Sequence, residues 1–380
     1  MTARPIYLDH QATTPLDERV LEAMLPYFTT EFGNPAGRHA YGHTAAAAVR
    51  TARRRVAELV GAEAEREIVF TSGATEANHL AIVGAALAVR PYGGHIVTTV
   101  IEHKAVLAAC DRLAERHGYK VTRVGVDGFG RVDPAAVAAA LTPNTVLVSV
   151  MHANNEIGTL QPLAAVAEEL AGRGVLLHTD AAQSAGWGLL DVGVAGVDLV
   201  SLTAHKFYGP KGVGALYVRA GTPLLAQQTG GGQEHGLRAG TPNVPAIVGL
   251  GTAAHLVPCD TTPVPILRDR LQKRLLAALP GAVVNGHPEH RLGGNLSLTV
   301  PGLRAADLLA RLPGVAASAG AACDADRGEP SHVLSAIGLS RAEAQATVRL
   351  SLGRTTTAGE VDRAAELLAD AASRVRRPPP

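Results

Sequence analysis

From about residue 44, segments with the apolar periodicity of a helix alternate with short apolar segments typical of strands. The stretch 44–62 has the periodicity of a helix, and 67–87 predicts a short strand, a Ser-Gly turn and a second helix. Short apolar runs rich in β-branched residues follow, as is typical of strands that are buried on both faces. These predicted strands are 95–100, 145–150, 174–180, 197–203 and 212–218.

Helical stretches at 105–117 and 162–171 lie between these predicted strands. Helices that connect successive strands in this way predict an α/β domain with a mostly parallel sheet. The chain has 380 residues, 47% of them hydrophobic, and is long enough for this domain and a smaller second one.

The proline-rich segment 257–265 marks the boundary between the two predicted domains. Beyond it the pattern predicts a helix at 266–279, a strand at 294–300, a helix from about 304 and a strand at 347–353. We therefore predict a large domain at 16–256 and a smaller α+β domain formed by 1–15 and 257–380.

Charge and hydropathy exclude several classes of partner. The net charge is +1, which predicts no nucleic-acid surface, and no apolar run is long enough to span a membrane. The first residues lack the pattern of a signal peptide, so we expect a cytoplasmic protein. The dense basic cluster Arg53–Arg55 lies in a helical pattern and is expected on a solvated face.

The three cysteines are too few and too scattered for a disulfide framework or a metal site. We expect Cys110 and Cys259 to be packing or incidental residues. Cys323 lies among small and polar residues with Arg327 nearby, and this setting favours an exposed and reactive thiol. We therefore predict no metal ligands and one candidate nucleophilic cysteine.

Ligands of open α/β sheets bind outside the carboxyl ends of the strands, so polar residues at these ends are candidate site residues. The Ser72-Gly73-Ala74-Thr75 turn opens a predicted helix, where free N–H groups can bind an anion, although the turn could also be a simple cap. Asp180 ends a buried strand and either caps the next segment or faces a cationic ring nitrogen.

Lys206 is one of only five lysines, and it follows another buried strand. It could reach solvent or pair with a carboxylate. Alternatively, burial and nearby cations lower its pKa, and the amine then forms a Schiff base with an aldehyde. An anion-binding turn, an aspartate and a lysine are together the parts of a pyridoxal 5'-phosphate site, with His103 available to stack on the ring or move protons.

The chain resembles the NifS/IscS-type cysteine desulfurases, which are pyridoxal phosphate enzymes of fold type I. The matching stretches run in order along nearly the whole chain. They are "YLDHQATTP" (7–15), "FGNPAGR" (32–38), "EIVFTSGATEANHLAI" (67–82), "EHKAVL" (102–107), "VSVMHANNEIG" (148–158), "HTDAAQSAG" (178–186), "HKFYGPKGVGALYVR" (205–219), "GGGQEHGLRAGTPNV" (230–244), "SAGAACDADRGEPSHVLSAIGL" (318–339) and "VRLSLGRTTT" (348–357).

The resemblance implies a large domain with a mostly parallel seven-stranded sheet and a role for each matching residue. Lys206 would carry the cofactor as an internal aldimine and act as base, while Asp180 would bind the pyridine nitrogen and His103 would stack on the ring. The other implied cofactor contacts are Ala74, Thr75, Thr203 and His205 at the phosphate, Asn155 and Gln183 near the ring hydroxyl, and Thr241 at the phosphate of a partner subunit.

The implied substrate is L-cysteine, with Arg349 holding its carboxylate and Asn34 and Asn155 lying close to it. Cys323 would accept the sulfur as a persulfide, release L-alanine and pass the sulfur to an acceptor protein. The expected acceptors are a scaffold, a carrier or a thiolation enzyme, in iron–sulfur cluster assembly, tRNA thiolation or another thio-biosynthetic pathway. Thr241 also implies a homodimer.

Two alternatives to a desulfurase remain open. A selenocysteine lyase, or a related C–S lyase dedicated to one pathway, would have the same cofactor site but would not need Cys323. A catalytically silent sulfur-relay subunit would be expected to lack Lys206 or Cys323, and both are present.

Overall fold

The computed structural model describes residues 4–320 and 330–376, so the predicted sulfur acceptor Cys323 lies outside the described residues. The chain begins with a short strand, β1 (Ile6–Tyr7). Among the described residues, the two largest apolar cores lie in different parts of the chain. The first is built from residues between Val20 and Ala254, whereas the second joins Leu8 to residues between Val264 and Ala372.

A seven-stranded sheet forms the centre of the large domain. Its strand order is β2-β8-β7-β6-β5-β3-β4. β8 pairs antiparallel with both of its neighbours, and the other adjacent pairs are parallel. The predicted α/β fold is therefore confirmed. The strands are β2 (Ile68–Thr71), β3 (His95–Thr99), β4 (Lys120–Val124), β5 (Thr145–Ser149), β6 (Leu176–Asp180), β7 (Leu199–Thr203) and β8 (Gly214–Val218).

The central strands of this sheet are buried on both sides, as is typical of a sheet that helices cover on both faces. The predicted helix at 44–62 is longer at its start: it begins after His39, which caps it, and ends at Gly61 in a left-handed conformation. The helices are α1 (Glu18–Met24), α2 (Pro26–Thr29), α3 (Ala40–Val60), α4 (Ala74–His79), α5 (Ala85–Val89), α6 (Lys104–His117), α7 (Pro134–Ala139), α8 (Leu163–Leu170), α9 (Val192–Ala195) and α10 (Val244–Leu256).

The smaller domain contains a four-stranded sheet of order β12-β13-β10-β9, and β11 pairs with the N-terminal strand β1. Its strands are β9 (Val283–Asn285), β10 (Asn295–Thr299), β11 (Val315–Ala316), β12 (Ser318–Ala319) and β13 (Thr347–Ser351). Its helices are α11 (Val264–Ala278), α12 (Ala305–Ala310), α13 (His332–Ala336), α14 (Arg341–Gln345) and α15 (Ala358–Arg376).

The expectation of a solvated face for Arg53–Arg55 is wrong for Arg53. Its guanidinium pairs with Glu234 at 2.7 Å and lies 4.6 Å from the centre of the Phe70 ring. The same Glu234 carboxylate accepts a hydrogen bond of 2.8 Å from the backbone N–H of Phe70. This buried pair fastens the loop that contains Glu234 to strand β2.

Neither a membrane span nor a metal cluster is found in the described ranges. No helix there is long and apolar enough to cross a bilayer. No group of three potential metal-ligating side chains comes together in the same residues. Cys110 is fully buried, and burial raises its pKa to about 12, so its thiol is protonated at neutral pH.

Candidate active site

A cleft of about 650 Å³ opens at the carboxyl ends of the central strands, where the small domain meets the large one. Strands β2, β3, β5, β6 and β7 of the large domain end at this cleft. The small domain contributes Gly320 after β12, His332 on α13 and Arg349 on β13. The cleft brings together ten of the sequence-predicted residues: Ala74, Thr75, His103, Asn155, Asp180, Gln183, Thr203, His205, Lys206 and Arg349.

The turn before α4 is shaped by Gly73. Its φ of 151° is a conformation that residues with a Cβ rarely adopt, and the Thr203 hydroxyl lies 3.7 Å from the position of an added Cβ. The first N–H groups of α4 face no earlier helical carbonyl, so they are available to an anion. The turn itself is held by Glu76, which accepts a hydrogen bond of 2.7 Å from the N–H of Ser72.

Lys206 closes a single 3₁₀ turn that follows β7. Its Nζ donates hydrogen bonds to the backbone carbonyls of Gln11 and Ala12, the latter at 2.9 Å. The amine therefore lies in the cleft, half-buried, and does not extend to the outer surface. Burial lowers the pKa of the adjacent His205 to about 4, with Lys206 and Lys211 adding to the effect, so its imidazole is neutral at physiological pH.

Asp180 caps the segment that follows it, and its side chain also lines the cleft. One carboxylate oxygen accepts a hydrogen bond of 2.9 Å from the N–H of Ala182, which is a local cap. The other accepts one of 2.7 Å from the Asn78 amide on α4, and the carboxylate still lines the cleft. A buried carboxylate held in this way is fixed in direction and available to a cationic ring nitrogen.

His103 caps helix α6, and its Nδ1 accepts a hydrogen bond of 3.1 Å from the N–H of Ala105. The acceptor role of Nδ1 leaves Nε2 as the protonated nitrogen when the ring is neutral. Partial removal from water lowers the pKa of His103. The negative charge of Asp180 opposes this shift, and the positive charge of Lys206 adds to it. His103 is therefore a neutral ring at the cleft wall near physiological pH.

Glu102, next to His103, is a buried acid. Its Oε1 accepts hydrogen bonds from the Thr99 hydroxyl at 2.8 Å and the N–H of Met151 at 2.9 Å. Burial raises its pKa to about 8, so the group is largely protonated at neutral pH. The backbone carbonyl of Glu102 accepts a hydrogen bond of 2.9 Å from His332 Nε2, which fastens the small domain to this strand end.

Arg349 lies on β13 and is 5% exposed. Its Nη2 donates to Asp9 at 2.9 Å, and Nη1 donates to the backbone carbonyl of Asn155 at 2.8 Å. Among the described residues, its Nε has no hydrogen-bond partner. A guanidinium that lines a cleft is suited to bind an anionic group such as a carboxylate.

Two predicted residues lie outside the cleft of the single chain. Asn34 is exposed on the loop before α3, where its side chain accepts a hydrogen bond of 3.0 Å from the N–H of Ala36. Thr241 lines a separate pocket of about 180 Å³, beside Ser72 and Gly212. Their proposed contacts with substrate and with a partner's phosphate stay predictions. Cys323 is not described, but Gly320 and His332 on either side of its segment both line the cleft.

Sequence reasoning assigned no role to the N-terminal segment that supplies Asp9, Gln11 and Thr13, or to Asn78. Thr13 holds His205 at 3.1 Å between Thr13 Oγ1 and His205 Nδ1. The motif "YLDHQATTP" contained the signal, but it is far from Lys206 in the sequence. Asn78 lies one helical turn beyond the anion-binding turn, where its spacing alone suggests only an exposed or core position.

The chain is similar to known proteins along nearly its full length. The model of the aminotransferase class-V family matches residues 6–364. Cysteine desulfurase IscS of Anaeromyxobacter dehalogenans (strain 2CP-C) is 49% identical, over 99% of this chain and 94% of that protein. Human cysteine desulfurase is 45% identical, over 99% of this chain and 84% of that protein.

Solved structures agree with this similarity. A NifS-like protein superposes with a TM-score of 0.90 at 36% identity, covering 97% of this chain and 100% of the other. A structure described as SspA in complex with cysteine gives 0.82 at 37% identity, covering 93% and 100%. The chain therefore belongs to the aminotransferase class-V family. Within that family it groups with the cysteine desulfurases, as its resemblance in sequence indicated.

Proposed function

We propose that this cysteine desulfurase works with pyridoxal 5'-phosphate bound in the cleft, and that Lys206 and Cys323 carry the two halves of the reaction. The observation that carries the proposal is the convergence of three parts in one cleft. The Gly73 turn suits a phosphate, Asp180 suits a ring nitrogen, and Lys206 supplies an amine. Each has a bland structural explanation alone, but a site for this cofactor needs all three together.

When bound, the cofactor supplies an aldehyde that condenses with amines and a ring that withdraws electrons from the substrate. The protein does the rest. Asp180, held by Asn78, would keep the ring nitrogen protonated, and the Lys206 amine would remove the proton from the substrate's α-carbon. Seven other predicted contacts line the cleft: Ala74, Thr75, Thr203 and His205 would hold the phosphate, Asn155 and Gln183 would contact the ring hydroxyl, and His103 would stack on the ring.

The substrate is L-cysteine, whose carboxylate binds Arg349. Arg349 supports this assignment because it lines the cleft and is held there by Asp9 and the Asn155 carbonyl. The complex of the similar SspA with cysteine supports the substrate class. Asn155 lies on the same side of the cleft, where its backbone carbonyl accepts a hydrogen bond from Arg349. Asn34 is exposed and lies outside the cleft of its own chain, so we propose that it contacts the substrate in the cleft of a partner subunit.

Sulfur transfer balances without any added oxidant. The Cys323 thiolate attacks the substrate sulfur, an S–S bond forms and the C–S bond breaks. The electron pair of that bond stays on carbon, which takes a proton to become the methyl group of L-alanine. The persulfide on Cys323 then passes its outer sulfur to an acceptor protein, in iron–sulfur cluster assembly, tRNA thiolation or another thio-biosynthetic pathway. We place this chemistry in the cytoplasm.

A homodimer is part of the proposal. Large apolar side chains are exposed on α1, α2, the start of α3 and the connections between them. The Phe32 and Tyr41 rings stack with centroids 5.4 Å apart. Exposed apolar patches of this kind mark protein interfaces. Asn34 lies in the same segment, so a partner that covers the patch would also bury Asn34. The patch consists of Leu21, Leu25, Phe28, Phe32 and Tyr41.

Phe32→Asp is expected to weaken self-association, because it buries a charge in an apolar interface. Loss of one central aromatic contact costs about 2 kcal/mol or more, or roughly thirtyfold in the dimer dissociation constant. Sedimentation equilibrium measures this constant. Ile266→Asp is the matched control, since Ile266 on α11 is 69% exposed and Phe32 is 67% exposed. Equal effects of the two substitutions, or none, would exclude the patch as the interface.

The cofactor and the reaction are tested with the wild-type protein. We expect purified protein incubated with pyridoxal phosphate to be yellow, and to convert L-cysteine to L-alanine in equal amount with sulfur bound to protein. Absorbance spectroscopy, amino-acid analysis and mass spectrometry measure the three quantities. Protein that stays colourless with excess cofactor contradicts the proposal. Release of free sulfide or selenide that is independent of Cys323 would instead identify a lyase.

A further inference from the structure

Asp9 and Arg349 form a partly buried ion pair at the cleft wall. Their side chains are 17% and 5% exposed, and Arg349 Nη2 lies 2.9 Å from Asp9 Oδ1. They come from opposite ends of the chain, since Asp9 precedes the first helix and Arg349 lies on β13. An ion pair that is removed from water is stabilising only when its geometry is well satisfied.

Both oxygens of Asp9 are occupied. The second one, Oδ2, accepts a hydrogen bond of 2.8 Å from the Ser318 hydroxyl on β12. The guanidinium is also held on its other side by the Asn155 carbonyl, at 2.8 Å from Nη1. Two fixed acceptors on two different nitrogens define the plane and the rotation of the guanidinium, and they leave Nε without a partner among the described residues.

The N-terminal segment 9–12, which begins with Asp9, also contacts Lys206. Backbone carbonyls of Gln11 and Ala12 accept hydrogen bonds from Lys206 Nζ, and the Gln11 carbonyl accepts one of 3.1 Å from Gln183. Asp9 is anchored to the small domain by a bridge to Ser351 on β13. The segment 9–12 thus spans the cleft from the substrate arginine to the lysine.

We propose that Asp9 is a positioning residue for substrate recognition: it orients the Arg349 guanidinium, which lines the cleft, so that N–H groups not used by Asp9 and Asn155 receive the carboxylate of the amino acid. This inference rests on the proposed function of the cleft. Planar, two-point recognition of a carboxylate depends on the direction of the guanidinium, so a small rotation reduces its benefit. Asp9 therefore sets selectivity for amino acids over simple amines without touching the substrate.

The test compares two amines that differ only in the carboxylate. L-Alanine and ethylamine carry no sulfur, so neither is turned over. Each is titrated into cofactor-loaded protein, and the change in visible absorbance gives its dissociation constant. In Asp9→Ala we expect the constant for L-alanine to rise roughly tenfold to a hundredfold, the loss typical of a misplacement near 1 Å. The constant for ethylamine should stay within about twofold of the wild-type value.

Steady-state kinetics with L-cysteine give a second measurement: KM should rise while kcat changes by less than about threefold, because Asp9 acts on binding. Asp9→Asn keeps an acceptor for Nη2, so it should restore part of the affinity for L-alanine, and it serves as the test if Asp9→Ala does not fold. Asp17→Ala is the matched control. It breaks the partly buried Asp17–Arg354 pair, which also joins the N-terminal region to the small domain but lies outside the cleft. It also removes the N-cap of α1, so it tests for a general loss of N-terminal anchoring.

Three results would overturn the inference. They are unchanged binding of L-alanine in Asp9→Ala, tighter binding of L-alanine, or an equal loss for L-alanine and ethylamine. Tighter binding would mean that Asp9 competes with the substrate carboxylate. An equal loss in both amines would mean a general structural role. Failure of the proposed function is a separate observation, because wild-type protein would then show no spectral response to either amine.

Discussion

Lys206→Ala is expected to abolish covalent attachment of the cofactor and to reduce desulfuration of L-cysteine to background. Two functions are lost together in this variant. The covalent link requires a primary amine, and removal of a general base alone costs about 10²–10⁴ in rate. Borohydride reduction followed by mass spectrometry locates the link, and L-alanine formation measures the activity. In wild-type protein the reduced adduct should be found on Lys206.

Lys206→Arg separates the chemistry from the charge. Arginine can still donate to the carbonyls of Gln11 and Ala12, but its guanidinium does not form a stable imine with an aldehyde. We therefore expect this variant to fold like the wild type and to lack the adduct. Lys273→Ala, on the exposed face of α11, should keep both the adduct and the activity. An adduct on another lysine in the wild type would move the reactive amine elsewhere.

The strand-end rule accounts for most of the site that could be predicted. Parallel strands place their carboxyl ends along one edge, so Asp180 after β6 and Lys206 after β7 had to lie close together once the sheet was recognised. The turn at Gly73 belongs to the same edge through the antiparallel partner β8, which pairs with both β2 and β7. Local patterns and one topological rule were sufficient here.

Contacts between distant parts of the chain could not be predicted in this way. The Asp9–Arg349 pair joins residues 340 positions apart, and no local pattern reveals such a partner. Arg53 is a second example. Three adjacent arginines predict a solvated face, and only the folded structure shows that the distant Glu234 pairs with Arg53. In both cases a loop or terminus supplies a carboxylate whose position depends on the finished fold.

Several elements were not predicted from the sequence, and strand β4 and helix α10 show two of the physical reasons. Strand β4 is an edge strand with exposed and half-buried side chains, so it lacks the uniformly apolar run of the central strands. Helix α10 has the opposite character: most of its residues are buried, between α3 and the rest of the large core. A helix that is apolar on all sides shows no amphipathic period, which is the signal on which the sequence reading depended.

Cys323→Ala should separate cofactor chemistry from sulfur transfer. None of the described residues that line the cleft is changed by the substitution, so the yellow colour and the spectral response to L-alanine should stay as in the wild type. Sulfur transfer from L-cysteine should fall by at least about a hundredfold, because the attacking thiolate is gone. Labelling with radioactive sulfur, followed by non-reducing electrophoresis, measures the protein-bound sulfur.

The other two cysteines provide the controls. Cys259 is exposed but lies outside the cleft, so Cys259→Ala should keep labelling and turnover within about twofold of wild type. Cys110 is buried with a raised pKa, and it should carry no label in any variant. Both flanks of the Cys323 segment are fixed at the cleft, by Gly320 in its wall and by Ser331, whose hydroxyl donates to Glu156 at 2.6 Å. Undiminished turnover in Cys323→Ala would refute its role as acceptor, even if Lys206 behaves as predicted.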